Sequence, residues 1–214
     1  MISVWIEQVR GAWFGVAHHD GRLVATATGA DRKHAARSVC ASLPRGAKYR
    51  MLEEGSEYSR DVMRLLAGLE AGEEETPTFE LCPDCVGEPL ASVARVASAI
   101  PRGFVATYGG IATAAGTEAR VVGHIMATNP LYPIIPCHRV VGADLSLVGY
   151  AGSQDVPALR AKLERLRAEA RGFTECRTVT TPLGSADLAV YPVERVIAKA
   201  ASDGLDDGGQ LLLW

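Results

Sequence analysis

Apolar and polar positions alternate with a period of two over Ser3 to Val9, Trp13 to His18 and Leu23 to Thr28, which predicts three strands. Asp20-Gly21, between the last two, supplies a hairpin turn. The period then lengthens to that of a helix near Asp31–Leu43. It does so again over Ser56–Leu69, where Ser56 is an N-cap and Val62, Leu65, Leu66 and Leu69 share one face. From Leu90 the pattern is mainly helical, with Leu90, Val93, Val96 and Ile100 on one face. Tyr108–Gly116 reads as a short helix closed by glycine, and a second helix runs from Glu118 to Thr128 with Val121, Val122, Ile125 and Met126 as its apolar positions. Ala112 and Gly116 allow close crossing, so the pair predicts a helix-turn-helix with Arg120 in the first turn of the recognition helix. Asn129-Pro130 ends that helix. Another opens at Asp155 and Pro157 with the stripe Leu159, Leu163 and Leu166. Beyond Ala170, Cys176–Thr181 and Asp187–Tyr191 read as strands joined by a Pro-Leu-Gly-Ser turn, and Val193 to Ala201 as a helix.

The expected architecture is α/β. A small N-terminal α/β domain with an antiparallel sheet covers residues 1–85, and a mainly helical domain containing the helix-turn-helix covers residues 86–170. The charged, proline-marked stretch from Glu73 to Pro77 and the pair Cys82-x-x-Cys85 mark the division. Residues 171–214 form an extension that the sequence leaves open between a hairpin-helix packed on the core and a partner-binding tag; its apolar end, Leu211 to Trp214, is expected to dock rather than hang free.

At 214 residues and 48% hydrophobic, the chain has the bulk for a real core and is not expected to be disordered. It has no unbroken apolar run of ~18–20 residues, and residues 1–20 lack a signal-peptide pattern, so no membrane association is expected. Five irregularly placed cysteines favour a reducing, cytoplasmic setting, nucleoid-associated or nuclear according to host. The net charge of -3 is unusual for a nucleic-acid binder. Only residues 102–170 are net basic, with 7 basic and 5 acidic side chains. Few phosphate contacts imply a shallow salt slope, roughly -0.9 per neutralised phosphate, suited to scanning rather than tight sequence-specific binding.

Pro136-Cys137-His138-Arg139-Val140 carries the candidate chemistry. A free thiol titrates near ~8.5, so only about 3% is thiolate at neutral pH, and a neighbouring base or cation raises that fraction. Adjacent residues on a strand point to opposite faces, so Cys137 and His138 cooperate only where the chain turns, as Pro136 allows.

An ordered series surrounds this pentad: Ile100-Pro101-Arg102-Gly103, Val105-Ala-Thr-Tyr108-Gly109, Arg120-Val-Val-Gly123, Asn129-Pro130, the run from Ile135 to Val141, and Gly149-Tyr150-Ala-Gly152. Over these seventy or so residues the chain resembles the O6-alkylguanine-DNA alkyltransferases, also called methylated-DNA–protein-cysteine methyltransferases. The resemblance implies direct, stoichiometric transfer of an alkyl group from O6-alkylguanine in double-stranded DNA to Cys137, with no dissociable cofactor and no metal, by a monomer that is spent after one event. His138 would be the base, acting through a bridging water. Tyr108 would protonate or hydrogen-bond the leaving guanine, and Asn129 would brace the turn into the cysteine segment. Arg120 would fill the base stack while the lesion is flipped out, with Gly123 and Arg139 on the DNA side. Val140, Tyr150, Ala151 and Gly152 would line the base pocket.

Two positions depart from the family pattern. Val148 stands where relatives commonly carry glycine. The family's Lys-x-x-Leu-Leu-x-x-Glu, whose glutamate orients the histidine, finds its nearest match in Lys162-x-x-Arg165-Leu166-x-x-Glu169 after about five residues of extra loop. The ungapped alternative is Glu164. At 100° per residue Glu169 flanks the apolar stripe, whereas Glu164 lies roughly 140° from Leu159 towards solvent, which favours Glu169. The Cys82/Cys85 spacing suits a zinc knuckle only if Cys40, His18 or His19 contribute; a disulfide or two buried thiols is the simpler reading, with His18-His19 on a solvent-facing strand end. Two other functions fit parts of the pattern. A non-covalent lesion-binding protein needs no reactive cysteine, so Cys137 argues against it, and a thiol hydrolase would turn over.

Overall fold

The computed structural model describes residues 1–73, 79–182 and 187–205. The end of the acidic break, the centre of the turn after Pro182 and the tail that ends at Trp214 lie outside the described residues.

The first three predicted strands form β1 (Ile2–Val9), β2 (Ala12–His19) and β3 (Arg22–Gly29), an antiparallel meander. A fourth strand, β4 (Tyr49–Met51), adds to β1 in parallel and gives the order β3-β2-β1-β4. Its three residues are all exposed, too few and too uniform to show a period. The two sheet faces are covered by different helices, as their alternating side chains require. Ile2, Val4, Ile6 and Ala25 pack with Ala35 and Val39 of α1 (Arg32–Ala41). Phe14, Val16 and Leu23 pack with Val62, Met63 and Leu66 of α2 (Glu57–Ala71). Asp31 and Ser56 cap these helices by accepting the His34 and Ser59 amides, and Gly72 closes α2 at a φ of 71°. His18 is not at a solvent-facing strand end. It is buried at 8% exposure, with Nε2 3.0 Å from the Ser59 hydroxyl, because β2 turns that face onto α2.

The second half opens with α3 (Leu90–Ser98), then β5 (Phe104–Thr107), α4 (Tyr108–Ala115) and α5 (Ala119–Thr128). A 3-10 turn (Cys137–Arg139) leads into β6 (Val140–Val141), and α6 (Val156–Glu169) follows a long loop. Then come β7 (Arg177–Thr180), β8 (Asp187–Pro192) and α7 (Val193–Ser202). The region is less purely helical than its pattern suggests, since a second sheet runs β6-β5-β8-β7. β5 pairs in parallel with β6 and antiparallel with β8, so a strand from beyond residue 170 lies beside the one that leads into α4. Val193, Val196 and Ala200 of α7 share a core with Leu163 and Leu166 of α6 and with Val105 and Val141. Of the two arrangements left open for the extension, its described part has the packed hairpin-helix.

Two segments meet the outer edge of β3, one from the first half and one from the second. The Leu23 amide donates to Glu80 O and the Cys82 amide to Leu23 O, each at 2.8 Å. Further along, the Thr26 amide donates to Pro130 O at 2.9 Å and the Thr26 hydroxyl to Tyr132 O at 2.9 Å. The sheet edge thereby holds the loop that precedes the cysteine.

Candidate active site

Three local features fix the site. Thr107 caps α4 by accepting the Gly110 amide at 3.0 Å, which sets Tyr108 at the helix start. Gly116, at a φ of 66°, reverses the chain between α4 and α5, where a side chain would be strained. Asn129 ends α5, its Nδ2 donating to Ile135 O at 2.9 Å and its Oδ1 accepting the Leu131 amide at 3.3 Å. The apolar run Ile134-Ile135 is buried, and Pro136 then starts the 3-10 turn on which Cys137 and His138 stand. Strand alternation is therefore absent where the two residues follow one another.

Cys137, 7% exposed, lines a cavity of about 390 Å³ together with Tyr108, Arg120, Gly123, Tyr150, Ala151 and Gly152. Val148, 44% exposed, lines it as well. Val140 does not: its side chain is wholly buried in β6, where pairing with Ala106 turns it into the core. Burial pushes the Cys137 thiol above its ordinary value, while the Asn129 side chain and the cations Lys162 and Arg165 draw it back. Burial also raises the Tyr108 phenol, with Cys137 adding to the effect, which keeps its proton available for donation.

On the other side of the turn, His138 Nε2 lies 2.9 Å from Glu169 Oε1. Arg139 grips the same carboxylate, Nε at 2.9 Å from Oε2 and Nη2 at 2.8 Å from Oε1, and gives Nη1 to Ile100 O at 2.8 Å. Burial works against the Glu169 charge, but bonds from His138 and Arg139 hold its carboxyl at about 2. An ionised Glu169 can only accept, so His138 carries its proton on Nε2. Its Nδ1 is buried and makes no hydrogen bond among the described residues. Burial lowers the imidazole's proton affinity, with Glu169 acting in the opposite sense. Glu164, by contrast, is exposed on the far side of α6.

Arg139 therefore stands apart from the DNA-side residues with which its sequence position grouped it. It is 7% exposed and committed to Glu169 and Ile100. Lys162 received no role in the sequence, yet it is completely buried, donating Nζ to Val140 O at 2.5 Å and Gly149 O at 2.9 Å. Burial lowers it to about 8, with Cys137 opposing. The signal for it was a lysine beside the apolar stripe, seven residues before Glu169. Cys82 Sγ and Cys85 Sγ approach to 2.9 Å as free thiols, and among the described residues no three His, Cys, Asp or Glu side chains gather as a metal-binding group. Burial raises Cys85 to about 11.

Residues 90–171 match the family model described as 6-O-methylguanine DNA methyltransferase, DNA binding domain. Methylated-DNA–protein-cysteine methyltransferase of Pyrobaculum aerophilum is 48% identical over 80 residues, 37% of this chain and 52% of that protein. The protein of the same name from Methanosarcina acetivorans is 38% identical over 113 residues, 52% of this chain and 72% of its own length. The chain belongs to this family. The solved structures agree with the methyltransferase assignment beyond the matched segment. O6-methylguanine-DNA methyltransferase of Pyrococcus kodakaraensis superposes with a TM-score of 0.54 at 28% identity, covering 80% of this chain and all of its own. Mycobacterium tuberculosis OGT in complex with DNA gives 0.54 at 25%, covering 78% and 92%. Against the methyltransferases aligned by sequence, the chain spans about half the length of the first and nearly three quarters of the second. No helix among the described residues is long and apolar enough to cross a membrane.

Proposed function

We propose that this methyltransferase repairs double-stranded DNA by taking the alkyl group of O6-alkylguanine permanently onto Cys137. The observation that carries the reading is the pairing, on one turn, of a cysteine in an open cavity with a histidine held by a buried, ionised glutamate. His138, with Nε2 committed to Glu169, has Nδ1 left to take the thiol proton through a water. The thiolate then forms the sulfur–carbon bond as the carbon–O6 bond breaks; the departing guanine keeps the electron pair of that bond and takes a proton from Tyr108. The proton held by His138 returns to solvent and Tyr108 is reprotonated, so the balance closes with S-alkylcysteine and guanine.

Flipping brings the base to the cavity, and Arg120, exposed at the start of α5 on its rim, fits the part of the residue that occupies the gap in the stack. Gly123, one turn on, leaves α5 smooth there, with nothing within 4 Å of an added Cβ. Tyr150, Ala151 and Gly152 flank the base, and Asn129 holds the turn through Ile135 and the thiol. All these groups come from one chain, so a monomer suffices, and a reducing cytoplasm keeps Cys137 free.

Intact-mass measurement after incubation with a duplex containing O6-methylguanine tests the reading. One added methyl group, mapped to Cys137 and absent from Cys137→Ser, is expected. Turnover, or an adduct on Cys40, Cys82, Cys85 or Cys176, overturns it.

A further inference from the structure

Arg165 stands where the family pattern has leucine, and its surroundings give it a purpose. Lys162, Arg165 and Glu169 are spaced i, i+3 and i+7, so they share the face of α6 turned towards the cysteine segment. The other two are already engaged there, Lys162 at the pocket loop and Glu169 at His138. Arg165 is half-buried, with Nη1 3.3 Å from Glu70 Oε2 at the end of α2 and its guanidinium 5.4 Å from the centre of the Tyr132 ring. An ion pair on one side and a ring on the other hold a cation in place at modest cost, and Arg is suited to both contacts. Tyr132 belongs to the loop that Thr26 fixes, and its hydroxyl lies by Glu70 and Tyr150 with no aligned hydrogen bond to either. Tyr150 in turn lines the cavity of Cys137.

We propose that Arg165, clamped between Glu70 and Tyr132, is a positioning residue for alkyl transfer: it supplies a fixed positive charge behind the Cys137 pocket that favours the thiolate. The proposal rests on Cys137 being the alkyl acceptor. A leucine at this position fills the same space but supplies no field, so this chain adds a second cation to the one that Lys162 provides. The groups around the thiol leave room for such an effect. Tyr108 and Tyr150 are uncharged near neutral pH, Tyr150 being raised to about 12 by burial with Cys137 adding to the effect. Glu169 is offset by Arg139, and Arg165 disfavours a proton on buried His138, so the Arg165 charge favours the thiolate directly rather than through the base. Burial lowers Lys162 to about 8, so its charge is lost as pH rises, whereas a guanidinium stays charged throughout. Among the described residues, Glu70 is the acidic group paired with Arg165 in the clamp.

The test is the pH dependence of single-turnover alkylation by the full chain, using a methylated duplex and the free base O6-benzylguanine, with the thiolate followed in parallel by its ultraviolet absorbance. Arg165→Leu should raise the apparent Cys137 titration midpoint by about half a unit to one unit and slow reaction at neutral pH about three- to tenfold, with recovery at higher pH. Arg165→Lys should restore most of the rate. Glu70→Gln keeps the hydrogen bond but removes the negative charge, so it should leave the midpoint unchanged or lower it. An equal loss at every pH in Arg165→Leu and Glu70→Gln would make the clamp a structural tether and overturn the proposal, as would an unmoved midpoint in Arg165→Leu. Adduct mapping keeps the two readings separate. An alkylated Cys137 with an unmoved midpoint defeats the role of Arg165 alone, whereas an unalkylated Cys137 defeats the acceptor assignment.

Discussion

Replacing Glu169 with glutamine tests the buried cluster behind the nucleophile, and the structure makes the expected result twofold. The carboxylate receives His138 Nε2 and two Arg139 nitrogens while only 10% of its side chain is exposed. Holding a carboxyl at about 2 against an ordinary value near 4.5 corresponds to about 3 kcal/mol in favour of the ionised native form. Glutamine also leaves the buried Arg139 cation without its counter-charge, and breaking one partner of such a pair costs about 3–5 kcal/mol. That is a large share of a typical stability of about 5–15 kcal/mol. The first expectation is therefore an unfolding free energy, measured by urea titration, lowered by about 3–5 kcal/mol. The second is a slower reaction at neutral pH, partly recovered as rising pH ionises the thiol without His138. The sign with acid follows from the lowered carboxyl. Its contribution is complete above the unfolded-state value near 4.5 and is lost as pH falls towards about 2. Acid destabilisation across that window should be shallower in Glu169→Gln than in the parent. Glu164→Gln, on the exposed face, is the control for both measurements. A Glu169→Gln protein with parental stability and a parental pH–rate profile would refute the reasoning.

Arg120→Ala should lose roughly ten- to a thousandfold in rate on a methylated duplex and far less on free O6-benzylguanine, because the role proposed for it is on the stacked strand; equal losses measured on the two substrates would make Arg120 structural. Truncation after Ala170 should abolish cooperative unfolding in a thermal melt. It removes the buried Leu188, Val190, Val193, Val196 and Ala200 along with the strand paired to β5, a loss on the order of 10 kcal/mol at about 1.5–3 per large apolar side chain. A truncated chain that melts cooperatively near the parent would show the extension to be dispensable.

The long elements were legible because each has enough residues to express a period: the meander, both capped helices α1 and α2, and the hairpin of α4 and α5. β4, β5 and β6 were not, since two to four residues carry no period and β5 is continuous with the helix that follows it. The cavity residues Tyr108, Arg120 and Tyr150 come together from separate segments spread over about forty residues, and only the resemblance, not periodicity, placed them at one site. Helical geometry separated Glu169 from Glu164, since a fixed angle per residue carries a face through a helix. Arg139 was beyond reach for the opposite reason: in a turn, neighbouring side chains diverge by angles that the sequence does not encode. Lys162 and Arg165 were overlooked because charged residues on helices usually face solvent, and their partners lie in other segments.

The outer edge of β3 gives the molecule an order of assembly. Its open amides are met by residues 80–82 and then by residues 130–132, so the contact from Thr26 to Tyr132 spans 106 positions. A chain emerging from the ribosome N-terminus first holds β1 to β3 long before either segment exists. During that interval the edge is a free template for pairing with another nascent chain. Closure over so long a stretch is entropically slow. It cannot finish until the residues leading to Cys137 have been made, so shielding of the edge and seating of the reactive thiol coincide.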